Sequence, residues 1–154
     1  MKFTIRFVVA VLLLLGVQRG FSQKTYDNGL GFRLGGVNGL SFKHFVTNAN
    51  SIELYAVKRY SGLVGVTGLY QWNFYLGNTN GLTWHLGPGL HAAMGKNKVN
   101  ETDFYLGADL NVGIEYKFDG IPFTVGLDFD LGMNATGDRP LFGDGYALGI
   151  RYVW

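Results

Sequence analysis

The sequence contains no cysteine, which excludes a disulfide framework, a thiolate metal site and a cysteine nucleophile. It contains no G-x-S-x-G turn, so the usual strand-to-helix elbow of a serine hydrolase is missing. After the first seventeen residues, no apolar run approaches the roughly 20 residues that a membrane-crossing helix needs. A basic excess is also lacking once the first segment is set aside. Lys2 and Arg6 precede an apolar run from Phe7 to Val17, and Gly20-Phe21-Ser22 places small residues at the −3 and −1 positions of a cleavage site. This pattern predicts a cleaved secretory signal over residues 1–22, too short and too soon interrupted by Arg19 to be a spanning helix. The formal charge of the whole chain is +2. Removing Lys2, Arg6 and Arg19 leaves ten basic residues against eleven acidic ones, a net −1. Nucleic acid is therefore not an expected partner, because the electrostatic footprint that binds phosphates is missing.

What is present is alternation of period two, punctuated by Gly, Asn, Asp and Pro, which predicts strands. From Phe104 to Phe118 one face reads Phe104, Leu106, Ala108, Leu110, Val112, Ile114, Tyr116 and Phe118, while Asp109, Asn111 and Glu115 fall opposite. A helix, with its period near 3.6, cannot sort residues in this way. Leu82–Gly95, Phe123–Met133 and Tyr146–Trp154 repeat the pattern. In the N-terminal half the expected strands are Leu30–Val37, about Leu40–Val46, Ile52–Arg59 and Val64–Phe74, with an Asn38-Gly39 hairpin turn between the first two. The faces around Lys43, His44 and Phe45 are ambiguous. Pro88 interrupts the fifth strand and predicts a bulge or bend.

Eight strands in residues 23–154 predict an all-β fold: a closed, antiparallel, up-and-down barrel. Three features point to a transmembrane barrel rather than a soluble one. The polar face is rich in glycine and poor in Lys and Glu, which suits the narrow interior of an eight-stranded barrel better than a solvated exterior. Strands of about 11 residues, tilted near 45°, span about 25 Å, the height of a membrane barrel's apolar band. Finally, Trp72, Phe74, Trp84, Tyr116, Phe118, Phe123, Tyr152 and Trp154 gather toward one rim if both termini are periplasmic, with Tyr60, Phe104 and Tyr146 toward the other. Trp72, Trp84, Tyr116, Tyr152 and Trp154 are the expected membrane-interface aromatics. The tight connection Asp119–Pro122 fits the periplasmic side, and the longer segments Lys96–Asp103 and Asn134–Gly145 the outside.

The ending Gly149-Ile150-Arg151-Tyr152-Val153-Trp154 resembles the C-terminal strand of bacterial outer-membrane proteins. More broadly, residues Tyr26–Trp154 resemble the small outer-membrane β-barrel proteins common in Bacteroidetes, OmpA/OmpX-like barrels of eight strands. The stretches Gly68-Leu69-Tyr70-Gln71-Trp72, Leu86-Gly87-Pro88-Gly89-Leu90-His91 and Gly113-Ile114-Glu115-Tyr116 carry the likeness, with a terminal Trp where Phe is commoner. The resemblance implies the outer membrane of a Gram-negative bacterium as location, and membrane lipids and lipopolysaccharide as surroundings. It also implies recognition of the strand ending at Trp154 by the barrel assembly machinery.

The charges on the polar face are Arg33, Glu53, Arg59, Asp109, Glu115, Lys117, Asp128, Asp130 and Arg151. Of these Arg33, Asp109, Glu115, Asp128, Asp130 and Arg151 are expected to form a structural ion network plugging the lumen, since buried charges persist only when paired. A gated proton or ion path through that network is the sharper alternative. General acid–base chemistry at Asp128 and Asp130 has little support, because alternate polar residues on any strand share a face. A lipid-modifying triad has little either: Ser41 and His44 fall on opposite faces. His85 and His91, six residues apart, stand about 20 Å from each other and cannot share a metal. Asp138 and Asp144 lack the acidic density of a calcium loop. The expectation is a structural or binding protein of the envelope, without catalysis and without cofactor, with a soluble periplasmic lipocalin-like binder as the chief alternative.

Overall fold

The computed structural model describes residues 24–59, 62–77, 79–96, 99–137 and 145–154. The expected signal segment, Tyr60, Asp138 and Asp144 lie outside these. Eight strands follow one another as β1 (Asn28–Gly35), β2 (Val37–Phe45), β3 (Asn50–Arg59), β4 (Val64–Tyr75), β5 (Leu82–Lys96), β6 (Thr102–Lys117), β7 (Phe123–Asn134) and β8 (Gly145–Val153). Each pairs antiparallel with its neighbour in sequence, and β1 pairs antiparallel with β8, from Gly29↔Val153 to Gly35↔Ala147. The barrel is closed and every strand has a paired neighbour on both sides, which removes the long unpaired backbone row that makes open sheets associate. Among the described residues there is no helix.

The alternation decides the two faces. Ser41, Lys43 and Phe45 of β2 point inward, and Leu40, Phe42 and His44 outward, which resolves the ambiguous stretch. The outward set is almost wholly apolar: Phe32, Leu54, Leu90, Leu127 and Leu148 are among many large side chains there that are 40% or more exposed. The inward set is mostly polar, and Arg33, Lys43, Glu53, His85, Asn111 and Asp130 are fully buried. With a side-chain period of two, a slip of one residue would exchange these sets, so the register is strongly specified.

Three local expectations are corrected. The first hairpin turns at Gly35-Gly36, not at Asn38-Gly39, which already belong to β2. Gly35 takes φ +139°, a conformation glycine alone adopts readily. The Asn38 side chain then accepts from the Gly35 N–H at 3.1 Å and donates to its carbonyl at 2.9 Å, holding the turn. Asparagine therefore serves this turn through its side chain and not through its backbone. Secondly, Pro88 produces no bulge. The β4–β5 register is the same on both sides of it, Leu69↔Gly89 and Trp72↔Leu86. Only the ladder opposite Tyr70 and Gln71 is interrupted, because proline offers no N–H. Thirdly, loop lengths distinguish the rims less than expected. Residues 97–101 form a connection no longer than 118–122, and only 135–144 is long.

Strand lengths run from 8 residues in β1 to 16 in β6, so the wall is tallest at the β5–β6 hairpin. The first described residues, 24–27, and the C-terminal Trp154, the described chain ends, lie at the rim formed by connections 46–49, 76–81 and 118–122. Aromatic rings gather at that same rim. Phe74 stacks on Trp84 at 4.7 Å, and Tyr70–Trp72, Tyr116–Phe118 and Phe123–Tyr152 meet edge to face. Tyr152 and Trp154 are 5.9 Å apart. Toward the opposite rim Phe104 and Tyr146 are exposed outward aromatics, with Phe129 across the ladder from Tyr146.

Candidate functional site: a sealed ionic lumen

Barrel closure brings together inward side chains that are far apart in sequence. Arg151 on β8 is the hub. Its guanidinium donates to Glu53 at 2.5 Å, to Glu115 at 2.6 Å and to the Ser41 hydroxyl at 3.0 Å, and lies 3.7 Å from Asp128. Arg33 on β1 forms the second hub, reaching Asp130 at 2.6 Å, Asp128 at 3.0 Å and Glu53 at 3.2 Å. Glu53 and Asp128 therefore lie against both arginines. The planar guanidinium with its five donors suits this role, which a point-charge ammonium cannot fill.

Among the described residues three inward cations, Arg33, Lys43 and Arg151, face five inward carboxylates, Glu53, Asp109, Glu115, Asp128 and Asp130. Neutral and imidazole donors answer the remainder. Tyr55 and Asn111 donate to Asp130, Ser41 and Gln71 to Glu53, and Tyr26 to Glu115. His85 Nε2 donates to Asp128 at 2.7 Å. His91 reaches Asp109 through Nδ1 and the Asn134 side-chain amide through Nε2, each at 2.8 Å. A buried carboxylate that accepts several such bonds avoids the desolvation penalty that would otherwise expel it. At the mouth beside the first strand's start, burial and then the Glu115 carboxylate push the Tyr26 hydroxyl well above its ordinary pKa, so it stays a donor.

Apolar side chains cap this network above and below. At the rim carrying the chain ends, Tyr26, Phe45 and Val153 cluster. Tyr26 meets Phe45 edge to face at 5.0 Å, and the Lys43 ammonium lies 5.3 Å from the Phe45 ring. Toward the other mouth Leu63, Ala93 and Tyr105 pack together, with Tyr55, Leu69 and Ala147 beneath. The charges are thus enclosed between two apolar layers.

The two histidines are accommodated by glycines directly across the ladder. His85 pairs with Gly113 and His91 with Gly107. A Cβ on Gly113 would fall 2.4 Å from Asp128 Oδ1 and 2.6 Å from His85 Nε2, and one on Gly107 would fall 2.6 Å from the His91 ring. Gly113→Val is accordingly expected to destabilise the barrel by about 1–3 kcal/mol, the usual range for overpacking. A chemical denaturation curve measures this, and an unchanged midpoint would mean that the His85–Asp128 pair does not need the space.

All six residues expected in the lumen network are inward and bonded there, though Asp109 belongs with His91 nearer the far mouth. Lys117 does not join it: its ammonium clamps the 118–122 turn by donating to the Phe118 and Ile121 carbonyls at 2.7 and 2.8 Å. The Arg59 side chain lies outside the described residues. Ser41 is inward and His44 outward, bonded to Asn28 at 2.8 Å, so they form no triad. Glu53, Ser41 and His85 belong to the network as well, and Lys43, Tyr26, Tyr55, Gln71 and Asn111 join it although the alternation pattern does not single them out. Trp72, Trp84, Tyr116, Tyr152 and Trp154 all lie at the one aromatic rim. Among the described residues no three His, Asp or Glu side chains form a metal-binding group. No protein-family model matches the chain, and no characterised protein matches its sequence.

Proposed function

We propose that the chain is an outer-membrane β-barrel protein of a Gram-negative envelope, with a structural or binding role and no chemistry of its own. The observation that carries this reading is the inversion of its faces: apolar side chains cover the outer wall while charge fills the lumen. In water that wall would expose apolar surface far beyond the few hundred Å² usual for a soluble monomer. In a bilayer it meets hydrocarbon, and the closed ladder satisfies the backbone. The single aromatic rim then sits at the periplasmic interface, where Trp and Tyr place their polar tips in the headgroups. Membrane lipids and lipopolysaccharide are the surroundings of the wall. The strand ending at Trp154 is the element the assembly machinery reads, as the resemblance to small Bacteroidetes barrels implies.

A lipocalin-like binder would keep a ligand in an apolar cavity, and both apolar layers of this lumen flank fully buried ion pairs. Membrane fractionation separates the two readings. The proposal expects the chain in the outer-membrane fraction, retained through carbonate washing. Recovery from the soluble periplasm without detergent would support the lipocalin-like reading. Because the caps enclose the network, purified protein in planar bilayers is expected to give no conductance above that of protein-free membranes, and discrete channel steps would revive the ion path.

A further inference from the structure

The outer wall is not uniformly covered. The register aligns outward side chains in rows across the sheet, and one row reads Leu40, Ala56, Val66, Ala92 and Leu106 from β2 to β6. In the next row Gly68 stands between Leu54 and Leu90. Ala56, Gly68 and Ala92 are too small to fill the wall to the height of their neighbours. The result is a trough of two adjoining hollows, of about 640 and 630 Å³, that share Leu40, Ala56, Val66 and Ala92.

The trough has a polar end. On β3 the outward side chains run Ile52, Leu54, Ala56 and then Lys58. Lys58 borders the upper hollow beside Asn38, at the rim opposite the chain ends. Lys58 is exposed and forms no ion pair among the described residues. The Asn38 side chain is already held by Gly35, so among the described residues nothing answers the Lys58 charge at this end. An apolar channel leading to an unanswered cation at membrane-interface height has the polarity of an anionic lipid. A charge there lacks full hydration and favours an opposite charge beside it.

We propose that this trough holds one acyl chain of a phosphate-bearing anionic lipid, with the headgroup phosphate at Lys58. The proposal rests on the membrane reading given above. A second copy of the chain fits less well. Two barrels inserted in the same sense are related by an axis along the membrane normal, so contact through this patch sets two unpaired Lys58 ammonium groups into one apolar interface.

Native mass spectrometry of the detergent-purified barrel tests this, with phosphatidylglycerol or phosphatidylcholine of identical chains added at equal concentration. The proposal expects a one-to-one phosphatidylglycerol adduct that outlasts the phosphatidylcholine one. Lys58→Gln should reduce phosphatidylglycerol retention to the phosphatidylcholine level. The double variant Ala56→Leu/Ala92→Leu, which fills the trough, should lose both adducts while keeping the gel mobility of the folded barrel. Equal retention of the two lipids by the wild type, or retention unchanged in both variants, would overturn the proposal. So would a lipid-free species of two chains, which would assign the trough to a second copy. These outcomes, in protein that is membrane-inserted and heat-modifiable, reject the trough alone. Protein that stays soluble without detergent rejects the membrane reading itself.

Discussion

Arg151→Met is expected to destabilise the barrel by about 3–5 kcal/mol, the cost of removing one partner from a buried, hydrogen-bonded ion pair. The size follows from what is left behind and not from the value of the pair. Arg151 is 1% exposed and bonds Glu53, Glu115 and Ser41 from one guanidinium. Without it, two carboxylates remain between apolar caps, and among the described residues the remaining cations are Arg33 and Lys43. Lys43 already lies 3.7 Å from Glu115, too long to replace the lost 2.6 Å bond. Methionine restores the volume but none of the donors. Arg151→Lys should recover only part of the loss, since one ammonium cannot span three acceptors. Guanidinium titration of refolded protein, followed by tryptophan fluorescence, measures both. A methionine variant as stable as the wild type would show that the network is dispensable to the closed wall.

The second large effect belongs to the outside. Leu127 lies mid-strand in β7, outward and 51% exposed, between Ile114 and Leu148. Leu127→Arg places a charge on the apolar band. In a bilayer this costs about 2–4 kcal/mol near the midplane. On a solvated surface the same substitution falls within about 0.5 kcal/mol of neutral. Folding titrations in lipid vesicles should therefore show a clear loss, with a smaller one for the same change at Phe123 near the aromatic rim. Equal, near-zero effects at both positions would contradict a lipid-facing wall.

The architecture was legible because it is local. Alternation over Phe104–Phe118 or Phe123–Met133 assigns each residue to a face without knowledge of its partners. The lumen membership of Arg33, Asp109, Glu115, Asp128, Asp130 and Arg151 follows from that period together with barrel closure. What they bond to does not, because the partners come from across the barrel. Tyr26 and Glu115 are 89 residues apart, and Arg151 and Glu53 are 98 apart. Lys43 was hidden by a run, Lys43-His44-Phe45, in which polar and apolar residues do not alternate. The first turn was misplaced because Asn-Gly is a strong hairpin signal, and here the adjacent Gly35-Gly36 pair took the turn. The glycines opposite His85 and His91 are a usable signal once strand register is fixed: two bulky imidazoles each face a residue with no side chain. The trough on the outer wall required the same register, since Ala56, Gly68 and Ala92 come from three different strands.

The proposed molecule is a closed barrel whose apolar wall faces lipid. Electrophoresis of the membrane fraction with and without boiling tests it most directly. A sealed ladder with a buried ion network should resist detergent until heated, so a compact, faster-migrating band that shifts on boiling is expected in the unboiled outer-membrane sample. A protein found in the soluble periplasm, with identical mobility before and after boiling, would contradict it.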